Sequence, residues 1–342
     1  MGDLTPKVSV LMPCYNAATT LNEALDSLAG QSLSDYELVV VDDGSSDGTL
    51  EILLQRARAD ARICVLAQSH QGIIAALNAG LEACRTGIVA RMDADDRAHP
   101  QRLEKQRNFL IGHQEIALVG CRVVGFPPEQ QRPGLQIYLE WQNSLLSDDD
   151  IRREMFVESP LAHPSVMFRR EWVQGVGGYQ DNGWAEDYDL WLRLYLAGAR
   201  FAKLPEVLLE WRETPERLTR RDRRYSLENF MRLKAYYLSR GPLAGRDAVI
   251  IWGAGMVGRR LSKHLLRLGV PLVAFIDIDP RKIGRLRRSL PILPPSELPV
   301  WRQRYTNPAV LAAVGARGAR AIVRSRLEGF NLIEGGDWWG VA

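Results

Sequence analysis

Three groups of acidic residues in this 342-residue chain have types and spacing that could do chemistry. Asp42 and Asp43 open the run Asp-Asp-Gly-Ser; Asp93, Asp95 and Asp96 form Asp-Ala-Asp-Asp; Glu186, Asp187 and Asp189 lie in the run WAEDYDLWLRLY at 184–195. Carboxylates gathered in one place repel and raise one another's pKa, so a standing cluster calls for a cation. Asp93 and Asp95 flank a small Ala94, and as hard oxygen ligands they suit a divalent ion, Mn2+ or Mg2+, that faces a diphosphate. The bland reading is that strand-end Asp residues only cap turns, as Asp47 does on this view. Asp187 offers a different chemistry. On a helix beginning near Ala185 it shares a face with Leu190, Trp191 and Leu194, at offsets of three, four and seven. A carboxylate there is either a first-turn helix stabiliser or a base whose pKa is raised by partial desolvation. Asp189 and Arg193, four apart, read as an ordinary surface pair.

These groups need elements to position them. Residues 7–12, 37–41, 63–67 and 87–92 are short, apolar, β-branched-rich runs bounded by turn residues, and they read as buried parallel strands. Between them lie amphipathic helical patterns: Leu21, Ala24, Leu25 and Leu28, with Thr20 and Glu23 as a capping box; Leu50, Leu53, Leu54 and Ala57; then Ile74, Leu77, Leu81 and Cys84. The order βαβαβαβ predicts an α/β, doubly wound sheet. Ligands of such sheets sit outside the carboxyl ends of the strands. Residues 13–16, Asp42-Asp43 and 93–96 each follow a strand directly, so all three are expected to face one crevice.

The ordered motifs VSVLMPCYNAATTLNEALDSL, VVVDDGSSDGT, GIVARMDADDRAHPQRLEKQ, HPSVMFRR, VGGYQDN and AEDYDLWLRL resemble those of bacterial family 2 glycosyltransferases with the GT-A fold, over residues 5–215. The resemblance implies an inverting transfer from a nucleotide-diphosphate sugar donor to a saccharide or lipid-linked acceptor. It places Asp42 and Asp43 near the base and ribose, with Pro13, Tyr15 and Asn16 as the neighbouring wall. Asp93 falls near the ribose, Asp95 on the metal, and Asp187 in the role of base. Gly177, Gly178 and Tyr179 suit a loop over the acceptor, with Trp184 and Glu186 on the same side; a plain turn is the alternative. His163 is read as a metal or donor contact, or as structural. Arg91 and Arg102 could reach phosphate or balance the acidic loop. Past Trp211-Arg212 the pattern departs: Thr214 stands where many relatives carry a metal-binding His, so the third ligand position is unassigned and Arg212 itself has no settled role.

Length and composition predict two domains, at 1–215 and 246–342, with a helical, basic connector at 216–245. After the linker-like RGPLAGR, a strand, Gly253-Ala254-Gly255-Met256-Val257-Gly258, a helix and Asp277 match a dinucleotide fingerprint, in a small Rossmann-like unit. Gly253, Gly255, Gly258 and Asp277 therefore form a candidate second nucleotide site, against a purely structural or oligomerising role. Residues 1–210 hold 19 basic and 30 acidic side chains, whereas residues 211–342 hold 25 and 11. The basic stretch RLTRRDRR at 217–224 reads either as a docking face for the acidic half or as peripheral contact with anionic membrane. Aromatic residues are not interleaved there, which argues against nucleic acid. Cys14, Cys64, Cys84 and Cys121 form no metal or redox spacing, and no signal segment or membrane-length apolar run is evident; the expectation is a cytoplasmic protein, at most at the inner membrane face. An NAD(P)-dependent oxidoreductase uses only GAGMVG and leaves Asp187 idle. A noncatalytic sugar-nucleotide sensor would have lost that base. A sugar-nucleotidyltransferase lacks its glycine- and lysine-bearing phosphate loop after the first strand.

Overall fold

The computed structural model describes residues 6–214, 220, 222–316 and 318–342. The described chain divides into two compact units, residues 1–151, 160–182 and 186–221 in one, and 152–159, 183–185 and 222–342 in the other. The second unit thus takes in two short pieces of chain that precede the helix of Asp187 in sequence, which no composition shift announces.

In the first unit the apolar runs form β1 (Val8–Cys14), β2 (Tyr36–Asp42), β3 (Ile63–Ala67) and β4 (Ile88–Arg91), joined by α1 (Leu21–Ala29), α2 (Thr49–Ala59) and α3 (Ile73–Ala83). Then follow β5 (Arg97–Ala98), α4 (Arg102–Gly112), β6 (Ile116–Phe126), α5 (Pro133–Ser144), α6 (Asp148–Glu154), β7 (Met167–Arg169), α7 (Arg170–Gly175), α8 (Glu186–Leu196) and β8 (Arg200–Arg212). The sheet order is β3-β2-β1-β4-β7-β6-β8-β5. The four strands β3, β2, β1 and β4 are parallel, and β7 then pairs antiparallel with both β4 and β6. Parallel strands covered on both faces require the near-continuous apolar runs seen in sequence; Val8, Val10, Leu11, Met12 and Val39 to Val41 are fully buried.

The register sets where the chain leaves the sheet. Cys14 lies beside Asp42, and Leu11 beside Arg91, so the residues after β1, β2 and β4 leave the sheet at one edge. One local expectation is corrected: Thr20 is the N-cap of α1, but its side chain makes no capping bond. Its hydroxyl donates to the carbonyls of Ala17 and Ala94, and Glu23 is drawn to Arg97 and Arg212 instead.

The second unit begins its regular structure with α9 (Leu227–Arg240), capped by the Ser226 hydroxyl, which accepts from the Asn229 amide. It continues with β9 (Ala248–Trp252), α10 (Met256–Arg267), β10 (Leu272–Ile276), β11 (Leu286–Arg287), β12 (Leu290–Leu293), α11 (Leu298–Arg302), β13 (Pro308–Ala312), α12 (Ala319–Gly329) and β14 (Trp338–Gly340). The strand order is β11-β12-β10-β9-β13-β14, parallel except for the β11–β12 hairpin. Ion pairs from Arg320 and Arg324 to Glu154 tie the 152–159 segment into this unit, and the buried Lys234 ammonium donates to the Val157 carbonyl. Of the basic stretch 217–224, Arg217 and Arg221 lie outside the described residues; Arg220 pairs with Glu213 and Arg224 with Asp222.

Candidate active site

The turn after β2 and the loop after β3 are bound to each other through Asp43. Its Oδ1 accepts from Gln68 Nε2 at 2.7 Å and the Gln71 amide at 2.9 Å, and its Oδ2 accepts from the Gly72 amide at 2.8 Å. Burial opposes the charge on Asp43, but the Gln71, Gln68 and Gly72 donors and the nearby His70 outweigh it and hold the carboxyl below its ordinary range. Gly44 is demanded by this closeness: its φ is +74°, and a Cβ there would lie 2.7 Å from the His70 amide nitrogen. Asp42, beside it, is as buried, and its Oδ1 has no hydrogen-bond partner among the described residues.

Asn16, in the left-handed region at φ 50°, donates its amide to Ser45 Oγ and accepts from the Ser46 amide at 2.9 Å through its side chain. The residues after β1 are thereby laced to those after β2. Pro13 sits opposite Val41 in the register. Tyr15 is 50% exposed and stacks on His70 with ring centroids 4.2 Å apart. His70 also brings Nδ1 within 2.8 Å of Asp43 Oδ2. His70, Gln68 and Gln71 are site residues that sequence reasoning missed; they occur in a loop without acidic or glycine-rich pattern, and only the fold reveals what they hold.

Below β4, Asp93, Asp95 and Asp96 each place a carboxylate oxygen within 4.8 Å of the other two. This all-oxygen set fits a hard divalent cation, and Asp96 joins the two residues expected. Asp93 pairs with Arg91, which is 2% exposed. Burial works against that guanidinium, but the adjacent Asp93 raises its pKa and keeps it charged. Arg102 does not reach toward a phosphate: it is fully buried and donates to the carbonyls of Arg91 and Val166 and to Gln106. Its role is to brace the loop from behind. Arg212 braces it from β8, donating Nε to the Asp95 carbonyl at 2.6 Å and its amide to Asp96 Oδ1 at 2.8 Å, while its guanidinium lies over the Phe126 ring.

On α8, Leu190, Trp191 and Leu194 are buried as the spacing predicts, and Asp187 is half-buried above them at the first turn. Burial, then the neighbouring buried Glu186 carboxylate, pushes the Asp187 pKa up to about 7; the Tyr188 amide and the charge of Arg91 act the other way. Asp189 and Arg193 are not the surface pair expected. Asp189 is wholly buried, joined to Arg193 Nε at 2.7 Å, and Arg193 donates onward to the Val176 carbonyl at 2.7 Å. An i, i+4 pair reads alike in sequence whether solvent or protein covers it.

That pair anchors the turn carrying Gly177 and Gly178, at φ 87° and 66°. Asn78 of α3 clasps the same turn, accepting from the Tyr179 amide and donating to its carbonyl, both at 2.9 Å. The Tyr179 hydroxyl meets His163 Nε2 at 2.9 Å, and Trp191 packs edge-on against the His163 ring. Burial, assisted by the charge of Arg91, depresses the His163 pKa well below its ordinary value. His163 is thus a neutral residue in the wall behind the loop. Trp184 belongs to the second unit, where it is buried against Tyr236 and Tyr237 of α9.

In the second unit Gly253 and Gly258 make the tight turn that the fingerprint demands, since a Cβ on Gly258 would lie 1.9 Å from the Gly253 carbonyl oxygen, whereas none would be met at Gly255. Asp277 turns inward to this loop. Its Oδ2 accepts from the Ala254 amide and Lys282 Nζ, both at 3.0 Å, and its Oδ1 accepts from the Asp279 amide at 2.9 Å.

A model of Glycosyl transferase family 2 matches residues 9–177. The chain is 35% identical over 216 residues to the amylovoran biosynthesis glycosyltransferase AmsE of Erwinia amylovora, a match covering 62% of this chain and 79% of that one. It is 30% identical over 224 residues to the UDP-Gal:alpha-D-GlcNAc-diphosphoundecaprenol beta-1,3-galactosyltransferase of Escherichia coli, covering 65% and 79%. Among solved structures, S. aureus TarS 1-349 in complex with UDP-GlcNAc aligns with a TM-score of 0.56 at 20% identity, over 76% of this chain and 72% of that one. The match spans 40% of a longer TarS chain. The structural likeness bears on fold, and the relatives bear on family. Carboxylates at the carboxyl ends of β2 and β4, in a first unit of GT-A fold, are those of a chain that belongs to glycosyltransferase family 2 and is a glycosyltransferase of the bacterial kind.

Proposed function

We propose that the protein transfers a sugar, with inversion, from a nucleoside-diphosphate sugar to a hydroxyl of a saccharide or lipid-linked acceptor, in the assembly of a bacterial surface polysaccharide. The observation that carries this reading is the presence of two differently tuned acidic groups in the first unit of a family 2 chain. Asp93, Asp95 and Asp96 converge in an all-oxygen set, while Asp187 is a half-buried carboxylate with its pKa near neutrality. The names of the relatives support the pathway, one being an amylovoran biosynthesis enzyme and another acting on a diphosphoundecaprenol-linked sugar.

In this reading Tyr15 and the rigidly held Asp43 loop flank the base, and the unpartnered Asp42 Oδ1 accepts from a base or ribose donor. Asp93 and Asp95, with Asp96, would hold Mn2+ or Mg2+, which when bound neutralises charge developing on the departing diphosphate. Asp187 takes the acceptor hydroxyl proton as the acceptor oxygen bonds to the anomeric carbon and the bond to diphosphate breaks. Single displacement inverts the anomeric configuration. Raising the pKa of Asp187 to near the working pH makes it a stronger base than an ordinary Asp while leaving it largely ionised just above neutrality. Gly177, Gly178 and Glu186 lie on the acceptor side. In the second unit, a ribose could engage Asp277 only alongside, or in place of, the Ala254 and Lys282 donors already bound there.

Incubation with a panel of nucleotide sugars plus manganese, read as released nucleoside diphosphate, tests the proposal. One donor should be turned over in preference to the rest, and faster when a saccharide or lipid-linked acceptor is present. Absence of release from every donor, with binding intact, would remove the enzymatic reading of the site.

A further inference from the structure

The second unit carries a cationic face that the transfer reaction does not use. Residues 256–291 contain nine Lys and Arg side chains against two Asp. Three of the nine are neutralised: Lys263 pairs with Glu228, Lys282 with Asp277, and Arg281 with Asp279. Arg259, Arg260, Arg267, Arg285, Arg287 and Arg288 have no ion-pair partner among the described residues. By contrast, Arg220 and Arg224 of the basic stretch at 217–224 are paired within the chain.

The six arginines belong to two elements that are bound together. Arg259, Arg260 and Arg267 recur at helical spacing on the side of α10 opposite its buried Leu261 and Leu265. Arg285, Arg287 and Arg288 lie on the β11–β12 hairpin, the edge of the second sheet. Arg288 occupies the turn with φ 52°, followed by Ser289 at 63°, and its guanidinium reaches across to α10, donating to Ser262 Oγ at 3.1 Å and the Arg259 carbonyl at 3.0 Å. These are neutral acceptors, so the bonds fix the hairpin without cancelling its charge. Between Arg285 and Arg287, Leu286 projects with 70% of its surface exposed. An exposed apolar side chain on a hairpin that also carries three guanidinium groups is a combination that an anionic bilayer accommodates, with charge met by lipid phosphates and leucine by the acyl boundary. No helix among the described residues is long and apolar enough to cross a membrane, so attachment would be peripheral.

We infer that the α10 face and the β11–β12 hairpin dock the protein on the surface of an anionic phospholipid bilayer. This goes beyond the transfer reading and does not depend on it. Flotation of the full chain with phosphatidylglycerol-containing vesicles, against phosphatidylcholine vesicles, tests the assignment. The protein should partition onto the anionic vesicles alone, and the binding should fade as salt rises, because surface charges are screened within about 10 Å at 0.1 M salt. The triple variant Arg259→Gln, Arg267→Gln, Arg285→Gln should lose on the order of a hundredfold in partition, at roughly fivefold per near-surface arginine. The matching triple Arg→Lys variant should bind within a few-fold of wild type, and Leu286→Ser should weaken binding several-fold. Circular dichroism melts of each variant monitor folding, and the wild-type salt titration stands even where a variant fails to fold. Equal flotation on neutral vesicles, an unchanged triple Gln variant, or capture by duplex DNA with no vesicle binding would each overturn the inference.

Discussion

Asp187→Asn should stabilise the protein in proportion to pH, with a sign set by the site. Burial and the neighbouring Glu186 raise the Asp187 pKa from an ordinary 3.8 to about 7. A carboxyl whose folded pKa is raised contributes stability that is complete below the unfolded pKa and is lost as pH rises through the folded one. Three pKa units at about 1.4 kcal/mol each bound that loss at about 4 kcal/mol between pH ~4 and pH ~8. Asparagine keeps the shape without the charge, so the variant escapes most of the loss. Because the charge of Asp187 and that of the buried Glu186 act on each other, the expected gain is about 2–4 kcal/mol. Urea denaturation followed by circular dichroism at pH ~5, ~6, ~7 and ~8 measures it. The variant's advantage should already be measurable at pH ~5, grow through pH ~6 and level off above about 7. A difference that stays flat across this range, or a variant less stable at pH ~8, would mean that Asp187 is not held in a charge-disfavouring site.

Asp95→Ala should remove the manganese dependence of nucleoside-diphosphate binding, because the remaining carboxylates cannot hold an anion without the cation between them; calorimetry with and without metal reads this, and unchanged metal-dependent affinity would move the ion elsewhere. With Asp187 acting as base, kcat/KM should fall about tenfold per unit as pH drops below about 7, and a flat acid limb down to pH ~5 would deny that an ionised carboxylate with this pKa is required. Gly258→Ala should destabilise the second unit by about 1–3 kcal/mol, since its Cβ would meet the Gly253 carbonyl at 1.9 Å, while Gly255→Ala, with open space around it, should be nearly neutral on melting.

The common sheet edge of these acidic residues was legible because two signals coincide: buried parallel strands give continuous apolar runs, and each of Asp42, Asp43 and Asp93 follows such a run at once. The buried face of α8 beneath Asp187 was legible through helical spacing. What stayed hidden depends on groups distant in sequence. Asp43 is held by donors from residues 68–72, two of them backbone amides, and amides carry no residue signature. For Arg102 a phosphate contact and a charge-balancing role stayed open, because an arginine beside an acidic loop has the same composition whether it faces a ligand or, as in this fold, lies behind the loop on the carbonyls of Arg91 and Val166. The buried Asp189–Arg193 pair and the membership of Trp184 in the second unit are likewise products of tertiary packing. Chain order suggested domains contiguous in sequence, whereas residues 152–159 and 183–185 pack with the second unit through contacts such as Glu154 with Arg320 and Trp184 with Tyr236.

The base assignment is tested most directly by separating donor binding from transfer in Asp187→Asn, using the donor found in the nucleotide-sugar panel. A group that acts on the acceptor proton contributes in the transition state and little to the donor complex. Donor affinity by calorimetry should therefore stay within a few-fold of wild type, while transfer to acceptor falls by more than about a hundredfold. Turnover above about a hundredth of wild type, with donor affinity unchanged, would contradict the role of Asp187 as the base.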